Sequence, residues 1–209
     1  MGGGSAPGPQ AGLSDPRAID DGTLPRIGSP APGAIGLGGK GGAAKAKGAS
    51  IGESVVSFAL HNLGQRVGDG ECFTLADRAL RNAGAKSAAD YGPVVPDGDY
   101  VWGTPVNLSS LRPGDIVQFR DYSCRVETEV ESSTETRTEE RVEERPHHTA
   151  IVERVGRDGA VTVLEQNIPP GAPVVRTTLH FRNSESSTAG RKTTITVRGT
   201  FWLYTAQAR

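Results

Sequence analysis

Hydrophobic positions recur along this chain at two periods, first helical and then alternating. Val55, Val56, Ala59, Leu60 and Leu63 fall at helical intervals, Ser50 and Glu53 have capping-box spacing, and Gly64 ends the pattern. A second stripe follows in Cys72, Leu75, Ala76, Ala79, Leu80 and Ala83, with Gly84 where a helix C-terminal cap belongs. Between the two lies the glycine turn Gly68-Asp69-Gly70-Glu71, which sets Cys72 in the first turn of the second helix. Residues 85–110 are irregular, punctuated by Gly-Pro, Pro-Asp-Gly and Gly-Thr-Pro. Tyr100 and Trp102 in this stretch are expected to cover the core, and Trp102 is also a candidate wall for a substrate cleft.

Beyond Pro113-Gly114 the pattern alternates. Strands are expected at 116–119, 147–155, 160–167, 174–182 and 193–204, the last ending on the core-closing run Phe201 to Tyr204. Residues 125–145 are polar, with eight Glu against four Arg, and their Thr, Val and Glu alternate in two arms around Ser132-Ser133. That segment, about 121–146, is expected to be a solvated β-hairpin standing off the domain, without a catalytic role and available to a protein partner. Helices followed by strands give the α+β class: two N-terminal helices packed on an antiparallel sheet of about five or six strands.

The loop Gly156-Arg157-Asp158-Gly159 joins two of these strands into a hairpin. Closing it on Val155 and Ala160 sets Ala150 opposite Glu165 and His148 opposite Asn167, and closing it on Arg157 and Ala160 keeps the same faces. His148, Glu165 and Asn167 then project together, whereas a one-residue slip would bring Gln166 there instead. His147 points to the opposite face.

Composition limits what this framework can serve. Fourteen of the 28 glycines lie in residues 1–48, which are rich in Gly, Pro and Ala and are expected to form a disordered tail, leaving 50–209 as one domain. A net charge of −1 argues against nucleic acid or an anionic membrane as a generic partner. No run is long and apolar enough to span a bilayer, and no secretory signal is visible, so the expectation is a cytoplasmic protein. Cys72 and Cys124 are too few for a disulfide framework and are read as free thiols. Cys72, His147, His148 and His180 match no metal-ligand spacing, and neither metal nor cofactor is expected.

Cys72 is the residue these features converge on. A thiolate is stabilised at a helix N-terminus, where unsatisfied N–H groups present positive charge. A cysteine nucleophile also needs an imidazole base, which in turn needs a group to fix its tautomer. The chain supplies Cys72, then His148, then Glu165 or Asn167. The Cys72 backbone N–H is the natural oxyanion donor, and the Gln65 side chain is a candidate second donor.

Gly-Glu-Cys72 opening a helix, Arg-Pro-Gly-Asp115-Ile-Val-Gln-Phe before a strand, His148-Thr-Ala-Ile-Val, and Val-Leu-Glu165-Gln-Asn167 together resemble the papain-like CHAP and NlpC-type domains. The Gly-Asp-Gly-Glu-Cys version with doubled His147-His148 is most similar to the cysteine-proteinase-fold domain of fungal myosin-tail-interacting proteins and bacterial relatives. The resemblance covers about 50–204. It implies a papain-like fold and a thiol-dependent endopeptidase or amidase acting on a peptide or peptidoglycan-like substrate, with Cys72, His148, Glu165 and Asn167 at catalytic positions. The 121–146 insertion departs from the family pattern. A papain-like module that binds or scaffolds without catalysis is the alternative.

Overall fold

The computed structural model describes residues 49–209, so the expected tail at 1–48 lies outside the described residues. Helix α1 (Ile51–His61) begins at the capping box read from sequence: Ser50 accepts from the Glu53 N–H, and the Glu53 carboxylate accepts from the Ser50 N–H at 2.7 Å. Helix α2 (Cys72–Asn82) starts at Cys72 and stops before Gly84, whose φ of 70° is the left-handed cap conformation that glycine adopts without strain.

The strands are β1 (Thr104–Pro105), β2 (Ile116–Glu131), β3 (Thr136–Val155), β4 (Ala160–Glu165), β5 (Val175–His180), β6 (Ser184–Thr188) and β7 (Arg191–Thr205). They form one antiparallel seven-stranded sheet in the order β1-β7-β2-β3-β4-β5, with β6 alongside β7. The α+β architecture is as expected, with more strands. The charged segment is not a free-standing hairpin. β7 pairs along β2 as far as Val130, and β6 pairs with β7, so the arm is four strands wide.

Both faces of the sheet are covered at its centre, which is why residues 116–119 are all buried. One face packs Ile116, Ile151 and Leu164 against Val55 and Ala59 of α1 and Leu75, Ala79 and Leu80 of α2. The other gathers Val117, Phe119, Tyr122, Ala150, Val163, Leu179 and Phe181. The Tyr122 hydroxyl of β2 donates to the His180 carbonyl of β5 at 2.6 Å, across the two intervening strands, so the sheet curls around this second core.

Two irregularities position the site. Between Val152 and Arg154 a bulge shifts the β3–β4 pairing. Val155 therefore faces Val161 at the loop, while Ile151 faces Leu164, the register expected from sequence for the far end. A second irregularity falls in β2 near Asp121, where φ is 52° and the register with β7 shifts. Phe119 and Tyr122, three residues apart, touch each other on one face with ring centroids at 5.0 Å. Strict alternation is broken there, and Arg145, opposite Tyr122, reaches the same side as His148.

Candidate active site

β3 pairs with β2 over nearly its whole length but with β4 only from Ile151 to Val155. The sheet thus opens between His147–Ala150 and the end of β4, and the N-terminus of α2 sits in this opening. Gln166, fully buried, holds it there. Its Oε1 accepts from the Val67 N–H at 3.0 Å, and its Nε2 donates to the carbonyls of Val67 at 3.1 Å and Glu71 at 2.7 Å. One side chain therefore ties the glycine turn before Cys72 to the strand that carries Glu165.

Cys72 is half-buried at the first helical position, and its thiol and the His148 imidazole are close enough to perturb each other's ionisation. Burial works against the thiolate. The His148 hydrogen bond and charge, with backbone N–H groups of Thr149 and Phe73, outweigh it and hold the thiol below its usual range. His148 is 2% exposed, and burial alone would discharge it, yet contacts with Cys72 and Glu165 raise its pKa. Both directions favour a thiolate–imidazolium pair.

His148 Nε2 lies 3.0 Å from Glu165 Oε2, which leaves Nδ1 as the nitrogen for Cys72. The contact is close but off-line, and Nε2 has no partner in good hydrogen-bond geometry. Glu165 is fully buried and receives Arg145 as a fork, at 2.9 Å to Oε2 and 2.6 Å to Oε1. Burial would raise this carboxyl, but His148 and Arg145 bring it down to about 2.

Asn167 departs from the expected grouping. It has φ of 70°, its Nδ2 donates to Glu71 Oε2 at 2.9 Å, and its Oδ1 accepts from the Gly171 N–H at 2.7 Å. Its amide is thus turned to Glu71 and to its own loop, and the contact with His148 comes from Glu165. The Glu71 carboxylate, engaged by Asn167, makes no side-chain cap on α2. The first N–H groups of that helix are left for the thiolate or an oxyanion.

Trp102 has no exposed surface and donates its indole N–H to Gln118 Oε1 at 3.1 Å, so it belongs to the core and not to a cleft wall. Tyr100 comes nearer the chemistry. Its ring meets Phe73 at 4.9 Å, and burial, followed by the negative charges of Cys72 and Asp97, raises its hydroxyl pKa. Gln65 is exposed, with backbone bonds to Asn62 and Val174. His147 turns to the Gly98 carbonyl at 2.8 Å, on the other side of β3 from His148. Cys124 is a buried free thiol. Among the described residues no three His, Cys, Asp or Glu side chains are grouped to hold a metal, and no helix is long and apolar enough to cross a membrane.

A cavity of about 460 Å³ is lined by Leu108, Leu111, Val155, Arg157 and Arg182, at the loop end of the β3–β4 hairpin. Comparison with known families finds a match between residues 45–184 and the AIM3/BBC1 cysteine proteinase-fold domain. No curated protein and no solved structure matches the chain.

Proposed function

The chain belongs to the AIM3/BBC1 cysteine proteinase-fold domain family, and from that premise we propose that it is a thiol hydrolase cleaving an amide bond in a peptide substrate. The observation that carries this reading is the grouping of Cys72 at the start of α2 with the buried His148, whose Nε2 lies 3.0 Å from the Glu165 carboxylate, with the thiol held below and the imidazole above their ordinary ranges.

In this reading the Cys72 thiolate attacks the acyl carbon, and the carbonyl oxygen takes up negative charge against the Cys72 N–H at the start of α2. The imidazolium gives its proton to the departing amine, and the C–N bond breaks to leave a thioester. A water molecule then loses a proton to His148 and attacks the thioester. The carboxylic acid leaves, and the proton is shared again between Cys72 and His148. Glu165 keeps the imidazole in place and balances its charge.

A second reading, a papain-like fold used as a binding or scaffolding module, is favoured by the off-line meeting of His148 Nε2 with Glu165, which leaves that buried nitrogen without a hydrogen-bond partner. One experiment separates the two. Iodoacetamide should label Cys72 far faster than the buried Cys124 below neutral pH, and His148→Ala should abolish the difference. Equally slow labelling of both thiols would remove the hydrolase reading.

A further inference from the structure

We infer that Arg145 is the residue that positions the Glu165 carboxylate for His148, and that it does so from the foot of the charged arm. The inference rests on the hydrolase reading above. Arg145 and Glu165 are 1% and 0% exposed, so neither can exchange its partner for water. Their contact uses both carboxylate oxygens, which fixes the plane of the group as a single-point contact could not. Arg145 is itself anchored in the arm. It donates to the Glu144 carbonyl at 2.7 Å and to Glu143 Oε2 at 3.2 Å, and Glu143 Oε1 accepts from Arg141 at 2.7 and 2.9 Å.

Oε2, the oxygen beside His148 Nε2, is the one that also accepts from Arg145 Nε. The guanidinium sets the carboxylate's orientation, and the imidazole meets it off-line. The charged and titratable groups around Glu165 and His148 are Cys72 from α2, Arg145 and Glu143 from β3, and Tyr122 from β2, whose ionisation senses Arg145. Arg145 is the single cation among them when His148 is neutral. Removing it has two consequences of known sign. Glu165 rises from about 2, because a buried carboxylate loses its strongest fixed counter-charge. His148 rises too, because its imidazolium no longer shares that carboxylate.

The test uses the full chain, with Arg145→Met, Arg145→Lys, Glu165→Gln and the double variant Arg145→Met/Glu165→Gln. The rate of Cys72 alkylation by iodoacetamide is followed against pH, and the His148 imidazole is titrated by NMR. Arg145→Met should move the acid limb of alkylation up by about 1–3 pH units and raise the His148 midpoint. Arg145→Lys, which keeps the charge and loses the fork, should recover only part of both. In the Glu165→Gln background the Arg145 substitution should have no further effect, because its route to His148 is gone. The double variant removes a buried pair together, which is tolerated better than removing one partner, so the comparison survives a poorly folded Arg145→Met. An unmoved His148 midpoint in Arg145→Met, or an equal shift with and without Glu165, overturns the inference. Slow labelling of Cys72 in the unsubstituted chain would remove the hydrolase reading, and the NMR titration would still decide the role of Arg145.

Discussion

Replacing Gln166 by Met tests the architecture of the site apart from its chemistry. The two side chains are similar in volume, so the substitution leaves no large cavity and mainly deletes hydrogen bonds. Three are lost, to the Val67 N–H, the Val67 carbonyl and the Glu71 carbonyl, in a region where Gln166 is fully buried and Val67 is 4% exposed. At about 1 kcal/mol each, with further cost for a buried N–H left without an acceptor, the change should destabilise the domain by about 2–4 kcal/mol. For a domain of this size that corresponds to a melting temperature lower by roughly 4–16 °C. Thermal unfolding followed by circular dichroism measures it. The consequence for function is separate. Gln166 is the side chain joining the end of β4 to the turn before α2, so the variant should also lose the labelling preference for Cys72 at temperatures where it is folded. A loss below about 1 kcal/mol with the preference intact would refute the argument that this side chain holds nucleophile and carboxylate together.

Other expectations follow from the same contacts. Glu165 has a folded pKa of about 2 against an ordinary value of 4.5, so it contributes stability above the unfolded pKa that is lost as pH falls from about 4.5 towards 2. The loss is on the order of 3 kcal/mol. Acid titration of unfolding free energy should therefore be flatter in Glu165→Gln, and parallel curves would contradict the buried ion pair. Trp102→Phe removes the hydrogen bond to Gln118 and some packing; urea unfolding should report a cost of about 1–2 kcal/mol, with Cys72 labelling unchanged. Asn167→Gly keeps the positive φ and breaks the bonds to Glu71 and Gly171, so it should cost about 1 kcal/mol by urea unfolding. It also frees the Glu71 carboxylate beside the start of α2, so the pH profile of Cys72 labelling should move up, and an unmoved profile would contradict the role given to the uncapped N–H groups.

The elements and the His148–Glu165 pairing were legible because each rests on a local rule, whereas joining Cys72 to them across 76 residues rested on the needs of a cysteine nucleophile and on resemblance. The capping box at Ser50 and Glu53 is a signal within α1, and the stripe from Cys72 to Ala83 with Gly84 after it is a signal within α2. The pairing of Ile151 with Leu164 follows from hairpin closure, even though it is reached through a bulge that alternation does not reveal. Asn167 was misgrouped for a comparable reason. Period-two projection assumes that the strand continues, whereas β4 ends at Glu165 and Asn167 turns away with φ of 70°. Gln166 was visible only as the result of a slipped register. Its partners, Val67 and Glu71, lie 99 and 95 residues away, beyond any local pattern.

Arg145 was hidden most completely, and the cause lies in the backbone. By simple alternation it shares a face with His147, opposite His148, and its neighbours Glu143, Glu144 and Arg141 read as a solvated charge run. The irregularity near Asp121, where the backbone approaches so closely to Gly199 of β7 that a Cβ there would collide with it, breaks the alternation of β2, and β3 follows it. The result is that the last arginine of an exposed arm becomes one of the most buried side chains in the domain. The arm and the site are then parts of one sheet with different solvent exposure. Arg141, Glu143, Arg145 and Glu165 form a graded series from surface to interior, and each ion pair gains strength as water is excluded. A surface pair such as Arg141–Glu143 is worth little by itself, but it stands two contacts from the carboxylate that faces the imidazole. A change on the arm that pulls Glu143 away would leave Arg145 more fully to Glu165 and lower the His148 midpoint. A Glu143→Gln variant should therefore shift the His148 titration in the opposite direction to Arg145→Met. The same direction for both would mean that the arm affects the site through shape and not through charge.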